Sequence, residues 1–217
     1  ILYSFGLSFM STRQAPWTFR PSVTWGRLAE DPAFLNALKN TLVILLVQVP
    51  LMVALATVLA VLLNSSLLKA RGIMRFAFFA PVVVGEVAYA AVFRLMFTAD
   101  RGIVNKMLDS IGLPAIDWFS NPTAAMALII MAVTWRWAGY NAIIILSGLQ
   151  SVPEDVYEAA TLDRVSPLRQ FFFITLPLLR PVLVFCVVLS VIGTMQLFAE
   201  PFLITNRGGQ GGATETL

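Results

Sequence analysis

Histidine is absent from this 217-residue chain and cysteine occurs once, as Cys186. The first absence excludes a histidine-ligated metal site, the second a disulfide scaffold. Charge is scarce. Only 12% of residues are Asp, Glu, Lys or Arg, about half the level of an ordinary soluble domain. Apolar residues make up 58%, with a mean hydropathy of +0.80. That is more apolar sequence than one soluble core can use, and it excludes disorder. No G-x-x-x-x-G-K-[ST] phosphate loop occurs, so the chain binds no ATP by that route. No ten-residue alternating segments mark a membrane barrel, and no short-period repeat appears. The net charge of +3 comes from scattered residues and builds no basic stripe for nucleic acid. The expected class is an all-α, polytopic helical transmembrane bundle.

Four segments are long enough to cross: 41–63, 76–93, 123–149 and 182–199. Backbone groups in lipid must be satisfied within the segment, so each is expected as a helix. Pro50 and Pro81 lie inside two of them and predict kinks or local breaks. The apolar opening, 1–10, reads as the end of a further span. Segments 11–40, 64–75, 98–122, 150–181 and 201–217 read as connections, the first interfacial through Trp17, Phe19 and Trp25, the second basic through Lys69, Arg71 and Arg75. Segments 64–75 and 150–181 share one side and are the denser in Lys and Arg, which favours that side as cytoplasmic. Cys186, in an apolar run, reads as a buried inert thiol.

The segment 151–177 is the most informative. Ser151 with Glu154 matches a capping box, and Pro153 suits a first turn. A short helix should run to about Asp163. Ser166-Pro167 is a second start signal, and that helix should reach Leu176 before Pro177 breaks or kinks it. The result is a helical hairpin at the membrane surface, either an interfacial element or a docking site for a soluble protein. Its four acids (Glu154, Asp155, Glu158, Asp163) have hydrophobic neighbours and do not read as a metal site. No nucleophile–base–acid set is readable, so an enzyme is not expected.

Tyr157-Glu158-Ala159-Ala160, then Asp163, Phe171 and Ile174-Thr175-Leu176-Pro177, resembles the EAA loop of ABC-importer permeases. The flanks are similar to the sugar-transport, maltose-permease-like branch: NALKNTLVILL (36–46), RFAFFAPVVV (75–84), LSGLQSVPEDVYEAA (146–160), ITLPLLRPVL (174–183) and LITNRGGQGGATETL (203–217). The resemblance covers nearly the whole chain. It implies a single permease domain over 1–217 with a coupling loop at 150–181, lacking the start of its first span and its last span. It implies a bacterial inner-membrane location, no cofactor in this chain, and four kinds of partner: a second permease subunit in a heterodimer, two ABC ATPase subunits, an extracytoplasmic sugar-binding protein and the lipid bilayer. Tyr157, Glu158, Ala159, Ala160, Asp163 and Arg164 become the ATPase-coupling residues. Two positions depart from the family: Arg164 stands where it has Gly, at a turn suited to a left-handed residue, and Gln210 stands near the place of a Pro.

Intramembrane polar groups usually face a bundle interior or a water-filled path. Glu86 reads as the only acid within a span core. It is either an ion-pair partner of Arg94 or Arg136, or an acceptor for sugar hydroxyls. In the stretch 135–141 (WRWAGYN), positions 134, 137, 138 and 141 share a helical face. The family's substrate contacts fall near this stretch, which implicates Thr134, Trp137 and Asn141; helix packing at Gly139 or an interfacial aromatic pair is the alternative. Ser190 and Thr194, four apart on the last span, complete the expected path, although small residues there also serve packing. Another small solute as cargo, an ATPase-independent secondary transporter and a membrane anchor are the rival functions.

Overall fold

The computed structural model describes residues 2–11, 18–65, 68, 70–205 and 208–217; expectations placed on Trp17, Lys69 and the Asn206-Arg207 pair lie outside them. The chain opens with α1 (Leu2–Ser8), then β1 (Met10–Ser11) and β2 (Thr18–Phe19), an antiparallel pair with Met10 opposite Phe19. Next come α2 (Pro21–Glu30) and α3 (Pro32–Asn64). The stretch 11–40 is therefore not a loop. Two prolines begin helices within it, and the Asp31 carboxylate caps α3 by accepting from the Ala33 N–H at 2.9 Å. α3 continues unbroken through Pro50.

The expected span 76–93 is two helices, α4 (Arg71–Val83) and α5 (Glu86–Met96), bent by 97°. The break falls at Val84 and Gly85, both extended, rather than at Pro81. Pro81 removes one donor from the last turn of α4, and three β-branched valines followed by glycine lack the propensity to carry the helix on. The stretch 98–122 contains α6 (Ile103–Ser110). Its organiser is buried Asn105, which donates to the Ala99 and Ile116 carbonyls and accepts from the Trp118 indole N–H at 2.9 Å.

α7 (Pro122–Gln150) matches its expected span, with the Asn121 side chain accepting from the Thr123 and Ala124 N–H groups. The surface hairpin holds α8 (Glu154–Leu162), α9 (Pro167–Gln170), a π-helical turn (Phe171–Thr175) and α10 (Leu176–Leu178). The Ser151 capping box does not form. Pro153 stands at the cap of α8, and the Ser151 hydroxyl turns back to the Gly148 carbonyl at 2.7 Å, ending α7. The second break comes at Leu179, two residues beyond Pro177, which itself fits the first turn of α10. There the chain bends by 67° into α11 (Arg180–Met195). Among the described residues, two helices, α3 and α7, are thus individually long and apolar enough to cross a membrane, and up to four spans result if each bent pair counts as one. The last expected loop begins with α12 (Ala199–Ile204).

Two apolar clusters set the directions of these helices. Ile44 of α3 packs in one cluster with Leu128 and Ile129 of α7; Ala56 and Ala60 pack in the other with Ala142 and Ile145. α3 and α7 therefore run side by side in the same direction. Cys186 of α11 joins the second cluster while Thr194 bonds Gln48, so α11 runs the opposite way. In lipid, apolar burial brings little gain from water exclusion, and close contact must hold helices together. Small residues provide it. A Cβ on Gly139 would overlap the Phe78 carbonyl oxygen of α4, and one on Gly148 would lie 2.9 Å from Val182 Cγ2 of α11. The glycine-rich segment after α12 is pinned to the start of α3, where Asn36 and Asn40 donate to the Gly212 carbonyl at 2.7 and 2.9 Å and Thr41 Oγ1 accepts from the Leu217 N–H.

Candidate substrate path and docking hairpin

Between the two clusters lies a cavity of about 340 Å³. α3 supplies Gln48 and Met52, α7 supplies Trp137, Tyr140 and Asn141, and α11 supplies Ser190 and Thr194. Gln196 at the end of α11, Glu86, the first residue of α5, and Glu200 of α12 complete the polar wall. Spacings of three and four put these side chains on inward helical faces. Gln48 is almost fully buried; its Oε1 accepts from Thr194 Oγ1 at 3.2 Å and its Nε2 donates to Met52 Sδ at 3.3 Å. Asn141 Nδ2 donates to the Trp137 carbonyl at 3.1 Å, while its Oδ1 is buried and meets no donor among the described residues. The Ser190 hydroxyl is turned to the Cys186 carbonyl at 2.6 Å.

Five of the six expected path residues meet here: Glu86, Trp137, Asn141, Ser190 and Thr194. Thr134 does not. It lines a separate apolar crevice with Val47, Leu51, Pro81 and Ala138. Thr134 and Asn141 share a helical face, but at the level of Thr134 the cavity is lined by Val133, about 100° around the helix. At the level of Thr134 that face meets α3 and α4 instead of α11.

Arg136 is buried behind the cavity and closes an ionic node. Its Nη2 lies 3.8 Å from Glu86 Oε1, its Nη1 lies 4.0 Å from Glu200 Oε1, and its guanidinium sits 4.9 Å from the centroid of the Tyr89 ring. Of the two partners offered for Glu86, the geometry selects Arg136. Glu86 is not the only acid in the bundle. Glu200, expected to close the last span at the surface, is buried because α12 folds back against α5 and α7. Gln48 and Glu200 were missed. The available signals were one amide in the uncharged run 41–63, and one acid in the apolar run 197–204.

The hairpin turns through Arg164, whose φ of +57° is the sole positive value at a non-glycine among the described residues. The Arg164 N–H donates to the Thr161 carbonyl and the Val165 N–H to the Ala160 carbonyl, both at 3.0 Å. This is a Schellman ending with Arg164 in the position where glycine is usual. Gln170 Nε2 reaches back to the Val165 carbonyl at 3.0 Å, and the Tyr157 hydroxyl pairs with Thr175 Oγ1 at 3.1 Å. Ala160 is buried inside the hairpin, Tyr157 is half-buried, and Glu158, Ala159, Asp163 and Arg164 are exposed. Leu162 and Leu168 are exposed beside them. No group of three or more acid or Cys side chains suited to a metal ion occurs among the described residues.

Membrane-length helices around a polar cavity, with a structured hairpin after α7, define a transport-type membrane bundle. The chain belongs to the family of binding-protein-dependent transport system inner membrane components, which it matches over residues 22–215. It is 42% identical over 220 residues to the lactose transport system permease protein LacF of Rhizobium radiobacter, covering 100% of this chain and 74% of that protein. It is 36% identical over 206 residues to the arabinooligosaccharides transport system permease protein AraP of Halalkalibacterium halodurans, covering 94% of this chain and 65% of that one. Its fold is similar to a chain of a bacterial ABC transporter involved in the import of the acidic polysaccharide alginate, with a TM-score of 0.82 at 23% identity, covering 99% of this chain and 73% of the other.

Proposed function

We propose that this chain is a permease subunit of an ATP-driven importer that translocates a mono- or oligosaccharide delivered by an extracytoplasmic solute-binding protein. The observation that carries the reading is the cavity, where an aromatic face lies among hydroxyl, amide and carboxylate groups within a member of this transport family. Sugars present apolar ring faces and a belt of hydroxyls. Trp137 can stack on the faces, and Gln48, Glu86, Asn141, Ser190 and Thr194 can bond the hydroxyls. Relatives named for lactose and arabinooligosaccharides support the substrate class. In this reading the protein crosses the bacterial cytoplasmic membrane several times and performs no chemistry and holds no cofactor of its own.

ATP hydrolysis belongs to two separate ATPase subunits, and a second permease subunit forms the other half of the path. The hairpin docks in a cleft of one ATPase through Glu158, Ala159, Asp163 and Arg164, with Tyr157 and Ala160 holding its shape. Movement imposed on α8 reaches the π-helical turn through the Tyr157–Thr175 bond. The chain then passes the bend at Leu179 into α11, which carries Ser190 and Thr194 into the cavity. Alternation of the cavity between its two openings follows from displacement of α11 against α3 and α7.

The test is purification of the full-length protein from detergent-solubilised native membranes with mass spectrometry of its partners. An ABC ATPase and a second permease are expected; a folded, monodisperse preparation without an ATPase refutes the reading. In the reconstituted importer, Trp137→Ala should lower sugar uptake with assembly intact. Unchanged uptake of every accepted sugar would remove Trp137 from the path.

A further inference from the structure

We propose that the cavity selects its sugar by charge, admitting neutral and cationic saccharides and rejecting those that carry a carboxylate or sulfonate, with Glu86 and Glu200 as the specificity-determining residues. This rests on the reading of the cavity as the sugar path. The fold leaves the charge of the cargo open, since a structural neighbour belongs to an importer of an acidic polysaccharide while LacF is named for lactose, a neutral sugar.

The lining settles the sign of the field. Glu86 and Glu200 both face the cavity, and no Lys or Arg is among the lining residues. Arg136, the cation paired with them, is 6% exposed, stacks on Tyr89 and does not line the cavity. Two carboxylates against one guanidinium leave a formal charge of −1, with the negative groups in front and the positive group behind. The other polar side chains of the wall, among them Gln48, Tyr140, Asn141, Ser190, Thr194 and Gln196, are neutral.

The hydrogen-bonding capacity has the same bias. Asn141 is 4% exposed, and its Oδ1 is an acceptor without a donor among the described residues. The Glu86 side chain is 57% exposed and offers only acceptors when ionised. A sugar hydroxyl or an ammonium group supplies the missing donors, whereas a uronate carboxylate brings only more acceptors. The like charges would meet within a few ångströms, where salt screens weakly and the protein lowers the dielectric. A neutral sugar should therefore bind at least about tenfold more tightly than an anionic one of equal size.

The experiment uses the complete purified transport complex in nanodiscs, without binding protein, so that the binding protein's own selectivity does not enter. Equilibrium binding is measured for three disaccharide probes: neutral lactose, anionic digalacturonate and the cationic glucosamine dimer. Wild type should favour lactose over digalacturonate by at least about tenfold, with the glucosamine dimer retained. Glu86→Gln, a substitution at a largely exposed side chain that the fold should tolerate, and Glu200→Gln should each shrink that ratio at least about threefold. Digalacturonate binding equal to or tighter than lactose, or an unchanged ratio in both variants, overturns the charge filter and leaves the sugar path standing. No binding by any of the three overturns the sugar path and the filter with it.

Discussion

Arg164→Gly is the sharpest test of the hairpin, because its effect follows from one dihedral angle. Arg164 holds φ +57° at the Schellman turn. A left-handed conformation costs a residue with a Cβ about 1–2 kcal/mol. Glycine removes that cost but orders a freer unfolded chain, a penalty of about 0.5–1 kcal/mol. The net gain should be about 0.5–1 kcal/mol in favour of glycine. For a chain of this size that corresponds to a rise in Tm of about 1–4 °C, read by differential scanning fluorimetry on the purified protein. Arg164→Ala separates backbone from side chain: it removes the charge and keeps the Cβ. Alanine should therefore stay near wild type while glycine is the more stable, and asparagine should fall between them. Equal stability of the glycine and alanine variants would refute the argument and assign the effect to the arginine side chain. The same variants, measured for ATP-driven uptake, report whether a relaxed turn alters coupling; Arg164→Gly should match or exceed wild type.

Three further outcomes follow from other contacts. Gly139→Ala places a methyl group against the Phe78 carbonyl oxygen and should destabilise the bundle by at least about 1–3 kcal/mol; Gly72→Ala on α4, where no atom lies within 4 Å, should be neutral or stabilising, and similar thermal shifts for both would count against tight α4–α7 packing. Arg136→Ala leaves Glu200 buried without its cation and should cost about 3–5 kcal/mol, visible as loss of folded protein in detergent, with Glu200→Gln restoring part of it in the double variant; full additivity of the two changes would dissolve the node. Glu158→Lys reverses an exposed charge on the hairpin and should abolish co-purification of the ATPase while the bundle stays folded, so normal co-purification would move the docking face elsewhere.

The long helices were legible because the bilayer imposes a length and forbids unpaired backbone. Residues 123–149 state this directly, and α7 departs from that range by one residue at each end. The bent spans were not legible, because a hydropathy window registers apolar content and is blind to direction. The 82–84 valines look like membrane sequence, yet with Gly85 they turn the chain through 97°. Spacing identified Ser190 and Thr194, and a shared helical face together with the family resemblance identified Trp137 and Asn141; these four line one cavity. The helical face also pointed to Thr134, which lines the apolar crevice instead, because a shared angle does not fix which neighbour a helix meets at each level. Glu200 escaped because its burial depends on α12 folding back, a tertiary event with no local periodicity. At Arg164 the expectation of a left-handed turn came from the family resemblance, and the φ value agrees with it.

The break between α4 and α5 and the polar wall of the cavity have a common physical origin. Interrupting a helix within a membrane frees carbonyls at its end and N–H groups at the next start, and neither can be left unpaired in hydrocarbon. Here the freed Val84 carbonyl accepts from Arg136 Nη2 at 3.4 Å, and Glu86 stands at the first position of α5, where a carboxylate complements the helix dipole. The arginine that answers the carbonyl is itself a buried charge and needs its own compensation. Glu86 and Glu200 provide it from two different helices. The contacts form one chain: the bend frees a carbonyl, Arg136 donates to it, and Glu86 and Glu200 compensate the arginine. Those carboxylates then form one side of the cavity. One arginine thus joins the bend to the acidic wall of the cavity.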